Sequence, residues 1–266
     1  MKILAMTCNC VDVFPETGKI FPGGNTLNFA VNCKNAGVEN VYVMGNIGRD
    51  EYGGIVKSAI DKYEIDRSRV YETEGQTANH TIHIDKNGDR YFKENSWVSG
   101  VWADYRLSSS DSDFMEEMDA VATTCNEPCF KDIIAVKRSS GFLLSVDFHD
   151  TQINNGWEEY FDAVDLFFLS AKNNSFEEKL PEWSKRFNTI FTATLGEFGS
   201  VSYKNGVKYV CDAVKTEKVI DTTGCGDSYQ AGFLVEYMKS KDVLSAMRKG
   251  SLTAAKTLSF VGGFEI

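Results

Sequence analysis

Between Asp221 and Asp227 the chain reads Asp-Thr-Thr-Gly-Cys-Gly-Asp, two carboxylates and two glycines within seven residues. Glycines at 224 and 226 let the backbone turn sharply and aim successive amides at one point, which suits a phosphate or a developing oxyanion. A carboxylate beside such a nest can take the proton of an alcohol while the amides hold charge formed elsewhere. Ala231, Leu234, Val235 and Met238 follow at helical spacing, so a helix starts near Gly226 and Asp227 lies in its first turn. The alternative is an N-cap aspartate after an ordinary glycine turn.

The elements that must carry this loop alternate. Lys2 to Thr7 reads as a short strand, Thr26 to Ala36 as a helix ending at Gly37, Val41 to Gly45 as a strand and Asp50 to Tyr63 as a helix. Phe142 to Phe148, Leu166 to Leu169 and Thr189 to Thr194 are apolar runs of buried-strand length separated by helical segments. The pattern predicts an α/β fold, a doubly wound and mostly parallel sheet, followed by a helical region from Gly226 to Phe260 broken near Lys241. Two stretches depart from it. Thr77 to Asp85 and Arg90 to Lys93 alternate around Asn87-Gly88, which predicts a β-hairpin, and Asp12 to Phe21 is extended. The simplest account is a sheet-edge hairpin and a long loop.

The 266 residues, 42% hydrophobic, suffice for one large core and argue against disorder. A net charge of −10 without a long basic run argues against nucleic acid or an anionic membrane surface as partner. No apolar stretch approaches the roughly 18 residues of a membrane span, and no cleavage-like site follows the first ten residues, so a cytoplasmic location is expected. Seven cysteines, an odd and scattered number, do not make a disulfide framework. Cys8-x-Cys10 and Cys125-x-x-x-Cys129 lack second pairs at zinc-ligand spacing, and His80, His83 and His149 are the chain's histidines. Neither a Gly-x-x-x-x-Gly-Lys-Ser/Thr loop nor a Gly-x-Gly-x-x-Gly loop occurs, which counts against P-loop and dinucleotide folds.

The run 221–227 resembles the signature of ribokinase-like (pfkB) carbohydrate kinases, usually Asp-Thr-x-Gly-Ala-Gly-Asp, and departs from it only at Cys225. The resemblance implies Asp227 as the base that deprotonates a sugar hydroxyl, with the amides of Gly224, Cys225 and Gly226 as the anion hole. Cysteine is small enough to pack like alanine, and amides need no particular side chain. Asn9-Cys-Val-Asp12, Pro22-Gly-Gly-Asn-Thr-Leu-Asn28 and Gly48-Arg-Asp-Glu-Tyr-Gly53 are similar to the family's N-terminal signature. There Asp12 would grip sugar hydroxyls, Gly23 and Gly24 would let the backbone approach the sugar, and Asn28 would hydrogen-bond it. Asn174-Ser-Phe-Glu177 resembles an Asn-x-x-Glu motif, implying phosphate at Asn174 and Mg2+ held through water by Glu177; the alternative is a plain helix start. Thr194, Gly196 and Gly199 fall in a stretch similar to the one that lines ATP.

The likeness covers nearly the whole chain. It implies one domain over 1–266, with segments 12–24 and 75–100 inserted as a small β lid that can also carry a homodimer contact. ATP and Mg2+ would be the cofactors, with a monovalent cation such as K+ as an optional third. Ala103-Asp-Tyr105, Leu107-Ser108, Asp147-Phe148 and Ala254-Ala-Lys-Thr257 are most similar to the branch that phosphorylates fructosamines. The implied reaction moves the γ-phosphoryl group of ATP to the C6 hydroxyl of a fructosamine such as fructoselysine, with Asn79, His80 and Asn95 of the lid meeting the amino-acid arm. A kinase for another sugar (fructose, ribose) or a nucleoside, and a non-catalytic sensor on the same fold, stay as alternatives.

Overall fold

The computed structural model describes residues 1–6, 8–84, 90–91, 93–150, 156–171, 176–217 and 219–266. In chain order the first strands are β1 (Lys2–Met6), β2 (Cys10–Phe14), β3 (Lys19–Gly23), β4 (Asn40–Gly48), β5 (Asp66–Thr73), β6 (Asn79–Thr81), β7 (His83–Ile84), β8 (Arg90–Tyr91) and β9 (Trp97–Val98). There follow β10 (Ala120–Thr124), β11 (Leu143–Asp147), β12 (Leu166–Ser170), β13 (Ile190–Thr194), β14 (Ser200–Lys204) and β15 (Val207–Cys211). The helices are α1 (Asn25–Asn35), α2 (Glu51–Lys62), α3 (Ser109–Glu116), α4 (Phe130–Ser139), α5 (Phe176–Arg186), α6 (Cys225–Ser240) and α7 (Val243–Thr257).

Nine strands form one sheet in the order β15-β14-β13-β12-β11-β10-β1-β4-β5. From β13 to β5 every neighbour runs parallel, and β14 and β15 add an antiparallel edge. The chain winds outward from β1 to β4 and β5, then returns to start the other half at β10. Between the carboxyl ends of β1 and β10 the winding reverses, and there the loops part into a crevice. One apolar layer packs Leu27, Val31, Phe233, Leu234 and Met247 from α1, α6 and α7 against Ile3, Val43 and Phe168. The opposite layer packs Ile133, Ile134, Leu180 and Trp183 from α4 and α5 against Leu4, Leu144, Phe167 and Phe191. Because both faces are covered, strands such as β1 and β12 carry nearly unbroken apolar runs.

The doubly wound, mostly parallel sheet agrees with the expectation from alternation, and Lys241, with φ of 54°, divides α6 from α7 where the break was expected. Strand β10 was not picked out from the sequence, although it is central and buried at every position. Its Ala-Val-Ala-Thr-Thr run is too poor in large side chains to stand out.

A second, four-stranded sheet of order β3-β2-β6-β9 lies beside the crevice. The expected strand over Thr77 to Asp85 is two strands instead. Ile82, 3% exposed, donates its amide to the Val13 carbonyl at 2.8 Å and interrupts the alternation; β6 stays in the four-stranded sheet and β7 turns away to pair with β8. The Asn87-Gly88 turn lies outside the described residues. Asp50, the N-cap of α2, joins the two sheets. Its carboxylate accepts from the Gly53 amide at 2.8 Å, the Thr77 amide at 2.9 Å and the Thr77 hydroxyl at 2.6 Å.

Candidate active site

At the reversal point lies a cavity of about 370 Å³, bounded by Cys8 and Cys10 after β1, by Thr124 and Asn126 at the end of β10, and by the starts of α1 and α6. The four-stranded sheet closes it from the side with Asp12, His80 and Trp97. Helix α6 begins at Cys225 after Gly224, whose φ of 72° is left-handed and whose side-chain-free position leaves the helix without a side-chain cap. Only glycine enters such a turn at low cost, and the space is closed too: a Cβ on Gly224 would lie 2.5 Å from the Cα of Gly263. Asp221 braces the loop. Its buried carboxylate accepts from the Thr223 amide at 2.8 Å and the Gly262 amide at 2.7 Å, pinning the loop to the C-terminal turn.

Asp227 stands in the first turn of α6, 6% exposed, and it lines the cavity. Asn25 donates its side-chain amide to Oδ1 at 2.7 Å and Asn28 donates to Oδ2 at 2.8 Å. Burial raises the Asp227 pKa to about 6; the amide of Asn28 opposes the rise, the like charge of Asp147 adds to it, and the amide of Asn25 opposes it. A carboxylate tuned this close to neutrality is ionised at pH 7 yet basic enough to share an alcohol's proton.

The structure gathers Asp227, Gly224, Gly24, Asn28, Asp12 and His80 around this one cavity. Several placements differ from expectation. Asn28 turns its amide to Asp227, and its Oδ1 is buried without a partner. The space at Gly23 belongs to the protein itself, since a Cβ there would lie 2.8 Å from Oδ2 of Asp12. At Gly24, φ of 90°, a Cβ would meet the Cys8 carbonyl at 2.3 Å. The amide of Cys225 points to the Thr222 carbonyl at 3.3 Å, within its own turn. Asn79 does not reach the cavity, because its side chain donates to the Thr77 carbonyl at 3.1 Å.

Other expected residues are placed elsewhere. Thr194 ends β13 and donates to the Leu169 carbonyl at 3.3 Å, while Gly196 and Gly199, both of positive φ, flank a 3-10 turn before β14. Glu177, in the first turn of α5, pairs with Lys208 at 3.0 Å, both side chains 47% exposed. Asn174 lies outside the described residues. Among the described residues no group of three or more His, Cys, Asp or Glu side chains is placed to hold a metal ion, and no helix is long and apolar enough to cross a membrane. None of the seven cysteines forms a disulfide, and six of them are buried.

The sequence reading assigned no role to Asn25, although it lies inside the Gly-Gly-Asn-x-x-Asn run. Its three-residue spacing from Asn28 puts both amides on one face of α1, aimed at one carboxylate. Trp102, Thr124 and Asn126 had no such spacing to betray them.

The profile of the pfkB family of carbohydrate kinases matches residues 10–263. The chain is 32% identical over 267 residues to a fructoselysine 6-kinase of Shigella flexneri, covering 99% of this chain and 100% of that protein. A fructosamine kinase of Bacillus subtilis is 27% identical, over 99% of this chain and 93% of its own. Among solved structures, an adenosine kinase from Sinorhizobium meliloti superposes with a TM-score of 0.84 at 19% identity, covering 100% of this chain and 96% of that one. An Arabidopsis thaliana ribokinase complexed with ribose and ATP gives 0.83 at 18% identity, over 98% and 93%.

Proposed function

For a chain that belongs to the pfkB family of carbohydrate kinases, we propose the transfer of the γ-phosphoryl group of ATP to the C6 hydroxyl of a fructosamine such as fructoselysine. The observation that carries the proposal is Asp227: a buried carboxylate with a pKa near 6, held by two amides at the floor of a cavity and beside an uncapped helix N-terminus.

The reaction then runs as an in-line displacement. The C6 oxygen bonds to the γ-phosphorus as the bond from that phosphorus to the ADP oxygen breaks, and the hydroxyl proton passes to Asp227. The phosphoryl oxygens, gaining charge, face the α6 N-terminus and its glycine amides, where the helix dipole favours them. Asp12, 7% exposed, accepts from sugar hydroxyls, and a carboxylate that expects two donors rejects analogues that lack them. Asn28 holds Asp227 and so acts on the sugar through the base. The described side chains build no cage for Mg2+, which suits an ion that arrives on the phosphates and keeps most of its waters. Bound with ATP, Mg2+ would supply neutralising charge.

In this reading the four-stranded sheet is a lid over the sugar, carried on a single domain. Trp97 and Val98 of its edge strand β9, 38% and 37% exposed, would offer the homodimer contact. The fructosamine choice draws on the full-length similarity to fructoselysine and fructosamine kinases. The test is ADP release from Mg-ATP over fructoselysine, other Amadori compounds, fructose, ribose and adenosine. Fructoselysine is expected to lead in kcat/KM by roughly tenfold or more. A simple hexose or a nucleoside leading the panel would overturn the substrate and leave the kinase.

A further inference from the structure

A second cavity of about 580 Å³ adjoins the first, and Asn126 lines both. Its walls are of two kinds. Phe130, Trp157 and Tyr160 give aromatic surface, while Arg106 and Lys131 bring positive charge and Glu127, Asp132 and Glu159 negative charge. Arg106, on the segment between the 3-10 turn Gly100–Asp104 and α3, donates to the carbonyls of Ala103 at 3.0 Å and Tyr105 at 2.7 Å, bonds that orient the guanidinium without cancelling its charge. Lys131 stands in the first turn of α4, a helix that has no side-chain cap. The indole N–H of Trp157 is buried and finds no acceptor among the described residues. An unsatisfied buried donor is destabilising, and an acceptor brought by a ligand would satisfy it.

Building on the fructosamine reading, we infer that this second cavity holds the amino-acid end of the substrate, with Arg106 and Lys131 receiving its α-carboxylate and Glu159 its α-ammonium. An Amadori compound of a lysine side chain ends in both charges on one carbon, joined to the sugar by a chain of methylenes. A site for it needs cationic and anionic groups and apolar walls beside the sugar; the lining of the second cavity includes all three. The small sheet does not: Asn79 is turned to Thr77, and Asn95 is exposed in a left-handed turn. Asn126 forms the passage. Its Oδ1 accepts from the Thr124 hydroxyl at 2.5 Å and lies 3.2 Å from Nε2 of His149, which fixes the amide between the two cavities. The sugar and its hydroxyls remain with Asp12 and Asp227, so the two ends are read by separate groups.

The experiment measures kcat/KM of the full chain, wild type, Arg106→Ala, Lys131→Ala and the double variant, on fructoselysine and on its decarboxylated analogue, the Amadori product of glucose and cadaverine. The wild type is expected to prefer fructoselysine to the analogue by about tenfold, chiefly through KM. Each single substitution should cut that ratio severalfold, and the double variant should bring it close to one. A wild-type ratio near one, or equal losses on both compounds in the variants, would overturn the assignment while leaving a preference for fructosamines over fructose intact. Poor turnover of every fructosamine beside fructose would instead remove the substrate reading, and this inference with it.

Discussion

On the helix side of the first cavity Asp227 and Asn28 are 6% and 4% exposed and bond to one another, whereas on the small-sheet side Trp97 is 38% exposed and meets its neighbours through ring edges. His80 and Trp97 lie 5.8 Å apart between ring centroids, and Trp97 and Trp102 5.7 Å. The first wall is fixed by hydrogen bonds and by glycines with no room for a Cβ; a Cβ on Gly263 would come within 2.2 Å of Oδ1 of Asn28. The second can yield. Chemistry on a developing charge demands the fixed wall, because donors and acceptors that must reorganise lose most of their effect. Substrate entry and selection suit the wall that can repack.

The largest effect that can sharpen this contrast comes from the fixed wall. Asp227→Asn should lower kcat by about 10² to 10⁴-fold with ATP affinity little changed. The same variant should gain stability at neutral pH. The folded pKa of about 6 lies above the ordinary 3.8, so the folded carboxyl holds its proton longer than the unfolded one. Its contribution is therefore fully favourable below pH 3.8 and is lost as pH rises through 6, a loss of about 3 kcal/mol above that range. Asparagine does not ionise and escapes the loss. Urea midpoints at pH 8 should favour the variant, and the gap should close near pH 4. Near-normal turnover, or a gap independent of pH, would break the picture of a preassembled base.

On the yielding wall, Trp97→Ala should raise the sugar KM by about tenfold and change kcat by less than about threefold if the ring, which lines the cavity, meets the sugar away from the transferred group. A drop in kcat comparable to that of Asp227→Asn would mean that both walls share the chemistry.

The two walls also differed in how far they could be read from sequence. The seven residues ending at Asp227 and the glycine pair at 23 and 24 need unusual backbone, and such needs leave glycines behind. The alternation of apolar runs carried the sheet for a similar reason, because a strand buried on both faces admits few polar residues. What sequence missed lies in pairings of distant side chains. That Asn28 holds Asp227 depends on α1 meeting α6, with the two residues 199 apart. That 77–85 divides at Ile82 depends on a contact with Val13 that no local pattern encodes. Asn126 was missed because β10 was missed, and with it the partition between the two cavities.

The smallest effect concerns the acid limb of the pH profile. With Asp227 as the proposed base, kcat/KM should fall as pH drops through about 6. ATP ionises in the same range, which makes the wild-type limb alone ambiguous. A comparison within the fixed wall removes the ambiguity. The amides of Asn28 and Asn25 and the charge of His149 favour the ionised carboxylate, whereas burial and Asp147 oppose it. Asn25→Ala deletes one favourable hydrogen bond and leaves Asn28, Asp147 and His149 in place, so the limb should move upward, by about half a pH unit to one unit for a bond of roughly 1 kcal/mol. At pH 8 the variant should then retain most of its activity, and at pH 5.5 it should lose several times more than the wild type does. Asn28→Ala should move the limb in the same direction and further. A limb unmoved by either substitution would assign it to the nucleotide and leave Asp227 titrating below the measured range, in which case the two walls would differ in rigidity but not in proton affinity.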